Sequence, residues 1–161
     1  MDGRAIYLND HLTTATGAVE LAGRAHGAMS DGPAGPWLAA AQRELTAERD
    51  LLLEAMVRLE VRPNRVKQAA GWLGEKAGRL KLNGSLLRRS PVSDVVELEW
   101  LLILGEHNLA ALRTLHDLAT HEPILQGLAP DLQTAIEWAV ARRDSLEEQR
   151  VGAAARALSA R

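Results

Sequence analysis

Apolar residues recur at alternating steps of three and four residues in four long stretches of this sequence, and this spacing restricts the fold more than any other feature. The first stretch carries it at Leu8, Leu12, Ala15, Val19 and Ala22. An α-helix completes a turn in about 3.6 residues, so positions with this spacing share one face, which has to be buried. We therefore predict helices over residues 4–28, 37–60 and 94–119, and a fourth that begins near residue 132 and ends between residues 150 and 160.

The connections between these stretches indicate how the helices are arranged. Gly and Pro residues fill the segment 30–36, and Pro123 and Pro130 bracket the link between the third and fourth stretches. Both links are short, so each joins antiparallel neighbours, whereas about 30 residues separate the second stretch from the third. The pattern predicts an all-α antiparallel four-helix bundle in one domain over residues 1–161. Weaker apolar spacing predicts a short extra helix over residues 66–80, inside a long crossover.

Composition agrees with a helical core and removes several classes of site. Hydrophobic residues make up 47% of the chain but aromatic residues only 3%, so the core must consist mainly of Leu, Ala and Val. Leu and Ala favour helices. A chain without Cys has no disulfide, no thiolate metal site and no Cys nucleophile. No apolar run reaches the roughly 20 residues that span a bilayer, and the N-terminal residues lack a signal-peptide pattern. We expect a cytoplasmic protein without a membrane segment.

The stretch 62–90 is basic, whereas the rest of the chain is acidic. It holds eight of the 19 Lys and Arg residues and one of the 21 acids, which leaves 11 basic and 20 acidic residues elsewhere. Arg79, Lys81, Arg88 and Arg89 are candidates to bind phosphates of nucleic acid, nucleotide or lipid, with Trp72 as a stacking face. The favoured interpretation is that this segment neutralises the acidic helices, within the fold or across a dimer, because Lys and Arg stems often cover apolar surface. The net charge of −2 argues against a general nucleic-acid binder.

Two segments carry a resemblance to a known group of proteins. YLNDHL at residues 7–12 and LGEKAGRLKLNGSLLRRSPVSDVVELEWL at residues 73–101 resemble a family of actinobacterial proteins of about this length. The resemblance covers most of the chain and implies a ferritin-like fold, in which two helical hairpins are joined by a long connection. It implies no particular activity.

A ferritin-like bundle raises the possibility of a di-iron or di-manganese site, with chemistry on oxygen or peroxide. Such sites take a Glu from each of two helices and a Glu-x-x-His from each of the other two. This chain has no Glu-x-x-His, yet Glu48 interrupts the apolar face of the second helix. Glu99, Glu106 and His11 are the other candidate ligands. The alternative is that Glu48 forms a structural ion pair with a buried Arg such as Arg143.

Other candidate residues have simpler explanations. His107 and His116, next to Glu106 and Asp117, lack the further groups that acid–base catalysis requires. Ser90 and Ser93 are explained by a turn and by the N-terminal cap of the third helix. Each Trp is expected to close a bundle end or an interface.

The third helix carries more large apolar residues than one core can hide, namely Leu101, Leu102 and Ile103 beside Trp100. Such a surface predicts a homodimer. We expect a metal-free, non-catalytic bundle that acts through self-association or through a protein partner whose identity the sequence does not supply.

Overall fold

The computed structural model of the protein describes residues 2–64 and 90–159. These residues form four α-helices and one short 3₁₀ helix, and no strand. The helices are α1 (Gly3–Met29), α2 (Gly35–Arg58), α3 (Pro91–His121) and α4 (Ala129–Ser159), with the 3₁₀ turn at Gln126–Leu128 before α4. The prediction of an all-α chain with four long helices is confirmed, and each observed end lies within a few residues of the predicted one.

Polar caps explain where two of the helices begin. The Asp2 carboxylate accepts a hydrogen bond from the Arg4 main-chain N–H at 3.1 Å at the start of α1. At the start of α3 the cap is Ser90, whose hydroxyl accepts from the Val92 main-chain N–H at 3.3 Å. The suggestion that Ser93 caps this helix is wrong. Pro91 occupies the first helical position, where its missing N–H costs nothing, and this sets the start earlier than predicted.

The end of α2 is a Schellman turn. The Val61 main-chain N–H donates to the Met56 carbonyl at 2.8 Å, and the Glu60 N–H donates to the Val57 carbonyl at 3.1 Å. Glu60 has a φ of 57°, in the left-handed region that favours glycine. Val61 is folded back onto the core beside Met56.

Contacts across the bundle show that α1 and α3 run in opposite directions. Arg4 at the start of α1 forms a 2.9 Å ion pair with Glu122, which directly follows α3. Three residues further along α1, the Tyr7 hydroxyl donates to Thr114 Oγ1 at 3.0 Å. Higher residue numbers in α1 therefore pair with lower residue numbers in α3, so the two helices are antiparallel.

Helices α2 and α4 are also antiparallel. Trp37, near the start of α2, donates from its indole nitrogen to Ser145 Oγ at 2.9 Å, in the second half of α4. Arg58, at the end of α2, donates to the Ile124 carbonyl, just before α4. Since α1 and α2 form a hairpin, α2 and α3 run in the same direction, and residues 64 and 90 lie at opposite ends of the bundle.

The buried apolar residues form two clusters along the bundle axis. One lies at the end that holds the start of α1 and includes Leu8, Leu12, Leu52, Met56, Leu109, Leu115 and Leu132. The other lies at the opposite end and includes Leu21, Met29, Leu38, Leu45, Leu98, Leu101 and Leu146. Between them lie buried polar residues, which are described below.

The short helix predicted over residues 66–80 falls outside the described residues, as does most of the crossover. Within residues 2–64 and 90–159, none of the helices has both the length and the apolar character that a membrane crossing requires.

Candidate functional site

An ion pair lies in the middle of the bundle, between the two apolar clusters. Arg142 of α4 donates from Nη2 to Glu48 Oε1 at 2.6 Å and from Nη1 to Glu44 Oε2 at 2.9 Å, both on α2. Glu48 is only 2% exposed and Arg142 only 7% exposed. The guanidinium geometry suits two carboxylates, and one buried charge compensates another. This pair confirms that Glu48 lies in the core, but its partner is Arg142 and not Arg143.

The environment of Glu48 disfavours its charge overall. Burial raises the pKa of the Glu48 carboxyl, while Arg142 opposes this through its charge and its hydrogen bond. Glu44 adds a repulsive contribution that also raises the pKa. Asn108 of α3 faces the carboxylate and favours its charged form. The desolvation cost of the Glu48 carboxylate is therefore offset only in part by its attraction to Arg142.

Asn108 brings α3 into this polar layer. It is 3% exposed, yet neither its Oδ1 nor its Nδ2 atom forms a full hydrogen bond with another described residue. Glu48 Oε2 is in the same situation. These atoms lie at a cavity of about 10 Å³, whose wall includes Ala15 of α1 and Leu52 of α2. We define the polar layer as Glu44, Glu48, Asn108 and Arg142 with the cavity beside them. Helices α2, α3 and α4 contribute its polar side chains, and α1 contributes Ala15 to the cavity wall.

Three rings that pack at tilted angles of 54° and 55° link α1 to α3, and we call this group the ring stack. The His11 ring centroid lies 4.0 Å from that of His107 and 4.3 Å from that of Tyr7. Burial is the main cause that lowers the pKa of His11 to about 4; the nearby His107 adds to it and Asp10 opposes it. His11 is therefore a neutral imidazole at neutral pH. The Nδ1 atoms of both histidines are buried without a hydrogen-bond partner among the described residues.

The structure does not bring the four predicted metal ligands into one cluster. Glu48 is in the polar layer and His11 is in the ring stack. Glu99 and Glu106 have half-exposed side chains that pair with arginines of α4, at 3.6 Å to Arg150 and 3.7 Å to Arg143. Residues 2–64 and 90–159 contain no group of three or more His, Asp or Glu side chains placed to hold a metal ion.

The prediction that Arg143 is buried on the core side of α4 is wrong. Its side chain is 41% exposed and binds Asp144 and Glu106 on the outside of the bundle. The buried position belongs to Arg142, one residue earlier. A strict alternation of three and four from Leu132 reaches Ala139, then Arg142, then Leu146, so the sequence did contain the signal.

The candidate anion-binding residues Arg79, Lys81, Arg88 and Arg89 fall outside the described residues, together with Trp72. Among the described Trp residues, Trp37 is half-buried against Ser145, whereas Trp100 and Trp138 are exposed. No described contact bears on the proposed neutralisation of the acidic helices by the basic segment.

An apolar surface runs along the outside of α3. It consists of Val92, Val96, Trp100 and Ile103, and we call it the α3 outer face. Steps of four, four and three place these side chains in one stripe, and each is exposed by 36% to 56%. Leu101, which was predicted to share this surface, is buried in the core instead, and Leu102 is half-buried against it.

Comparisons with protein-family models, curated proteins and solved structures found no match for this chain. The fold and the site define it as an all-α four-helix bundle with a buried polar layer and an exposed apolar stripe.

Proposed function

We propose that this protein is a ferritin-like four-helix bundle that acts without a metal, through self-association on its α3 outer face. The observation that carries this proposal is the stripe of Val92, Val96, Trp100 and Ile103, which is exposed on the outside of the bundle. The role is that of an interaction module and not that of an enzyme.

Helix directions support the ferritin-like part of the proposal. Ferritin-like bundles have one long crossover, which joins two hairpins so that the second and third helices run the same way. Here α2 and α3 are parallel, and residues 64 and 90 lie at opposite ends of the bundle.

The contacts of Glu48 support the metal-free part. A carboxylate that binds a metal offers its oxygens to the cation, whereas Glu48 Oε1 already accepts a 2.6 Å hydrogen bond from Arg142. The guanidinium supplies the positive charge that a metal would otherwise bring. The remaining buried acceptor, Glu48 Oε2, faces Asn108 and a cavity of about 10 Å³.

Charge at the edge of the α3 outer face favours a second copy of this chain as the occupant. Glu99 and Glu106 flank the stripe, and each pairs with an arginine of α4 in the same molecule. An edge that is neutralised in this way does not repel an identical edge, and it offers little attraction to a strongly charged partner. Trp100, 49% exposed, supplies the large aromatic side chain that often anchors an interface.

Light scattering coupled to gel filtration tests self-association directly. We expect a dimer at micromolar concentrations for the native chain and a monomer for Ile103→Lys, because a charge in the apolar stripe cannot be buried without a partner. Val57→Lys is the matched control, since Val57 is a large apolar residue of α2 that is 74% exposed. This variant should remain dimeric. A native chain that is monomeric throughout this concentration range would contradict the proposal.

Elemental analysis of protein purified without chelator tests the metal-free part separately. We expect no stoichiometric iron or manganese. Near-stoichiometric metal that disappears in Glu48→Ala would contradict this part and would support the oxidase or peroxidase alternative. It would leave the self-association result unaffected.

A further inference from the structure

We infer that the cavity between α2 and α3 is a binding site for a single water molecule, which bridges Glu48 Oε2 and the Asn108 carboxamide. The site is independent of self-association on the α3 outer face. It rests on three features of the polar layer: two deeply buried side chains, their unpaired atoms and the space between them.

The first feature is the burial of the two side chains. Glu48 is 2% exposed and Asn108 is 3% exposed, so bulk solvent does not reach either group. A buried polar atom without a hydrogen bond costs about 1–3 kcal/mol, more for a charged group. Nearly all such atoms in folded proteins have a protein or water partner.

The second feature is the set of atoms left over. Arg142 uses Glu48 Oε1 but not Oε2, and both polar atoms of the Asn108 side chain lack a partner among the described residues. Oε2 is an acceptor and the Asn108 Nδ2 is a donor. A water molecule can donate to the first and accept from the second. It keeps one hydrogen for a further acceptor.

The third feature is the size and shape of the space. The cavity measures about 10 Å³, which is close to the minimum that holds one water molecule and too small for an organic ligand. Two small side chains line the gap, Ala15 of α1 and Ala111 of α3. Leu112 and Leu115 of α3 close the remaining wall.

Charge favours water over a cation in this position. A sodium ion would have to compete with the Arg142 guanidinium, which already neutralises the Glu48 carboxylate at 2.6 Å. Water adds hydrogen bonds without adding charge. The bridge joins α2 to α3 across the diagonal of the bundle, so it fixes the relative height of two helices that share few other contacts.

A high-resolution crystal structure of the native chain is the primary test and needs no variant. We expect one density peak within about 3.2 Å of both Glu48 Oε2 and an Asn108 side-chain atom. A direct hydrogen bond between Glu48 and Asn108, with no peak between them, would overturn the inference. An empty cavity would do the same.

Counting long-lived waters in solution by oxygen-17 relaxation dispersion gives a second readout. In Ala15→Ser the new hydroxyl occupies the cavity, so we expect one long-lived water fewer than in the native chain. Ala25→Ser is the matched control, because Ala25 is equally buried on α1 but lies away from this cavity. Its count should equal the native one. An unchanged count in Ala15→Ser would overturn the inference.

Discussion

Arg142 of α4 and Glu48 of α2 form a 2.6 Å ion pair in the middle of a core that consists mainly of Leu and Ala. The same guanidinium reaches Glu44, which is nearer the surface. Buried pairs of this kind cost desolvation energy, so they add less stability than their short distances suggest. Their larger effect is that neither partner can be removed alone.

Arg142→Met should therefore destabilise the bundle by roughly 3–5 kcal/mol, because it leaves the Glu48 carboxyl buried without its partner. Urea unfolding followed by circular dichroism measures the loss. The double variant Glu48→Leu with Arg142→Met should recover most of it, since the charge and its partner disappear together. Arg143→Met, at the neighbouring half-exposed position, should change stability little. If Arg142→Met costs no more than Arg143→Met, the pair has no structural importance.

Acid should weaken the contact between His11 of α1 and His107 of α3. His11 titrates at 6.5 in an unfolded chain, but the folded environment lowers its pKa to about 4. Between these pH values the unfolded state binds a proton more readily than the folded state. The contribution of His11 to the unfolding free energy is therefore complete above pH 6.5 and is lost as the pH drops towards 4. We expect this residue to account for about 1–3 kcal/mol of the loss.

His11→Gln removes the titrating group and should flatten the dependence of unfolding free energy on pH between 6.5 and 4. Urea unfolding at several pH values gives the slope. His121→Gln is the control, because His121 is exposed at the end of α3. In this variant the unfolding free energy should depend on pH as it does in the native chain. Asp10 and Tyr7 remain beside the site in both variants. A native slope in His11→Gln would show that other groups cause the acid sensitivity.

The second helix was the most predictable part of the fold. Its apolar series Leu38, Ala41, Leu45, Leu52 and Ala55 is buried throughout, and Glu48 is buried with it because it occupies the missing step of the same series. Periodicity therefore located a polar residue in the core. It did so without any information about which partner neutralises the charge.

The polar partners of Glu48 were missed because apolar residues were preferred over strict spacing. On α3 the alternation of three and four residues from Leu98 passes through Leu101, Gly105 and Asn108. Leu102 on the same helix is half-buried and Ile103 is exposed. A stripe followed by step alone would have included Asn108.

The contacts between side chains of different helices could not be predicted from the sequence pattern. The stack of His11 on His107 joins residues on α1 and α3, and it depends on the relative height of these helices. One turn of slip, about 5.4 Å, would separate the rings. Nothing in the local pattern of either helix determines that height. It follows from the packing of both apolar clusters at once.

The left-handed residue that ends α2 offers a stabilising change. Glu60 has φ of 57°, a conformation that is strained for any residue with a β-carbon but open to glycine. Glu60→Gly should raise the unfolding free energy by about 0.5–1 kcal/mol, measured by thermal and urea unfolding. Glu60→Ala keeps the β-carbon and should give no such gain. A loss of stability in Glu60→Gly would mean that the Glu60 side chain contributes more than its backbone strain costs.

Two glycines should respond to alanine with opposite signs. A β-carbon on Gly105 would meet nothing within 4 Å, at a half-buried position of α3 that lines a small pocket with Leu101 and Leu146. Gly105→Ala should stabilise the bundle by about 1 kcal/mol, because alanine is the better helix former and its methyl group meets no obstacle.

At Gly35 the new β-carbon would collide with the main-chain carbonyl oxygen of Ser30 and lie 2.9 Å from the carbonyl carbon of the same residue. Main-chain atoms in the short link between α1 and α2 cannot withdraw without disturbing the Gly35 N–H···O=C Gly32 hydrogen bond of 3.1 Å. Gly35→Ala should therefore destabilise by about 1–3 kcal/mol, despite the better helix propensity of alanine. Thermal unfolding of both variants, compared with the native chain, tests these two predictions. If both melting temperatures shift in the same direction, helix propensity alone governs these positions and the tight link is unimportant.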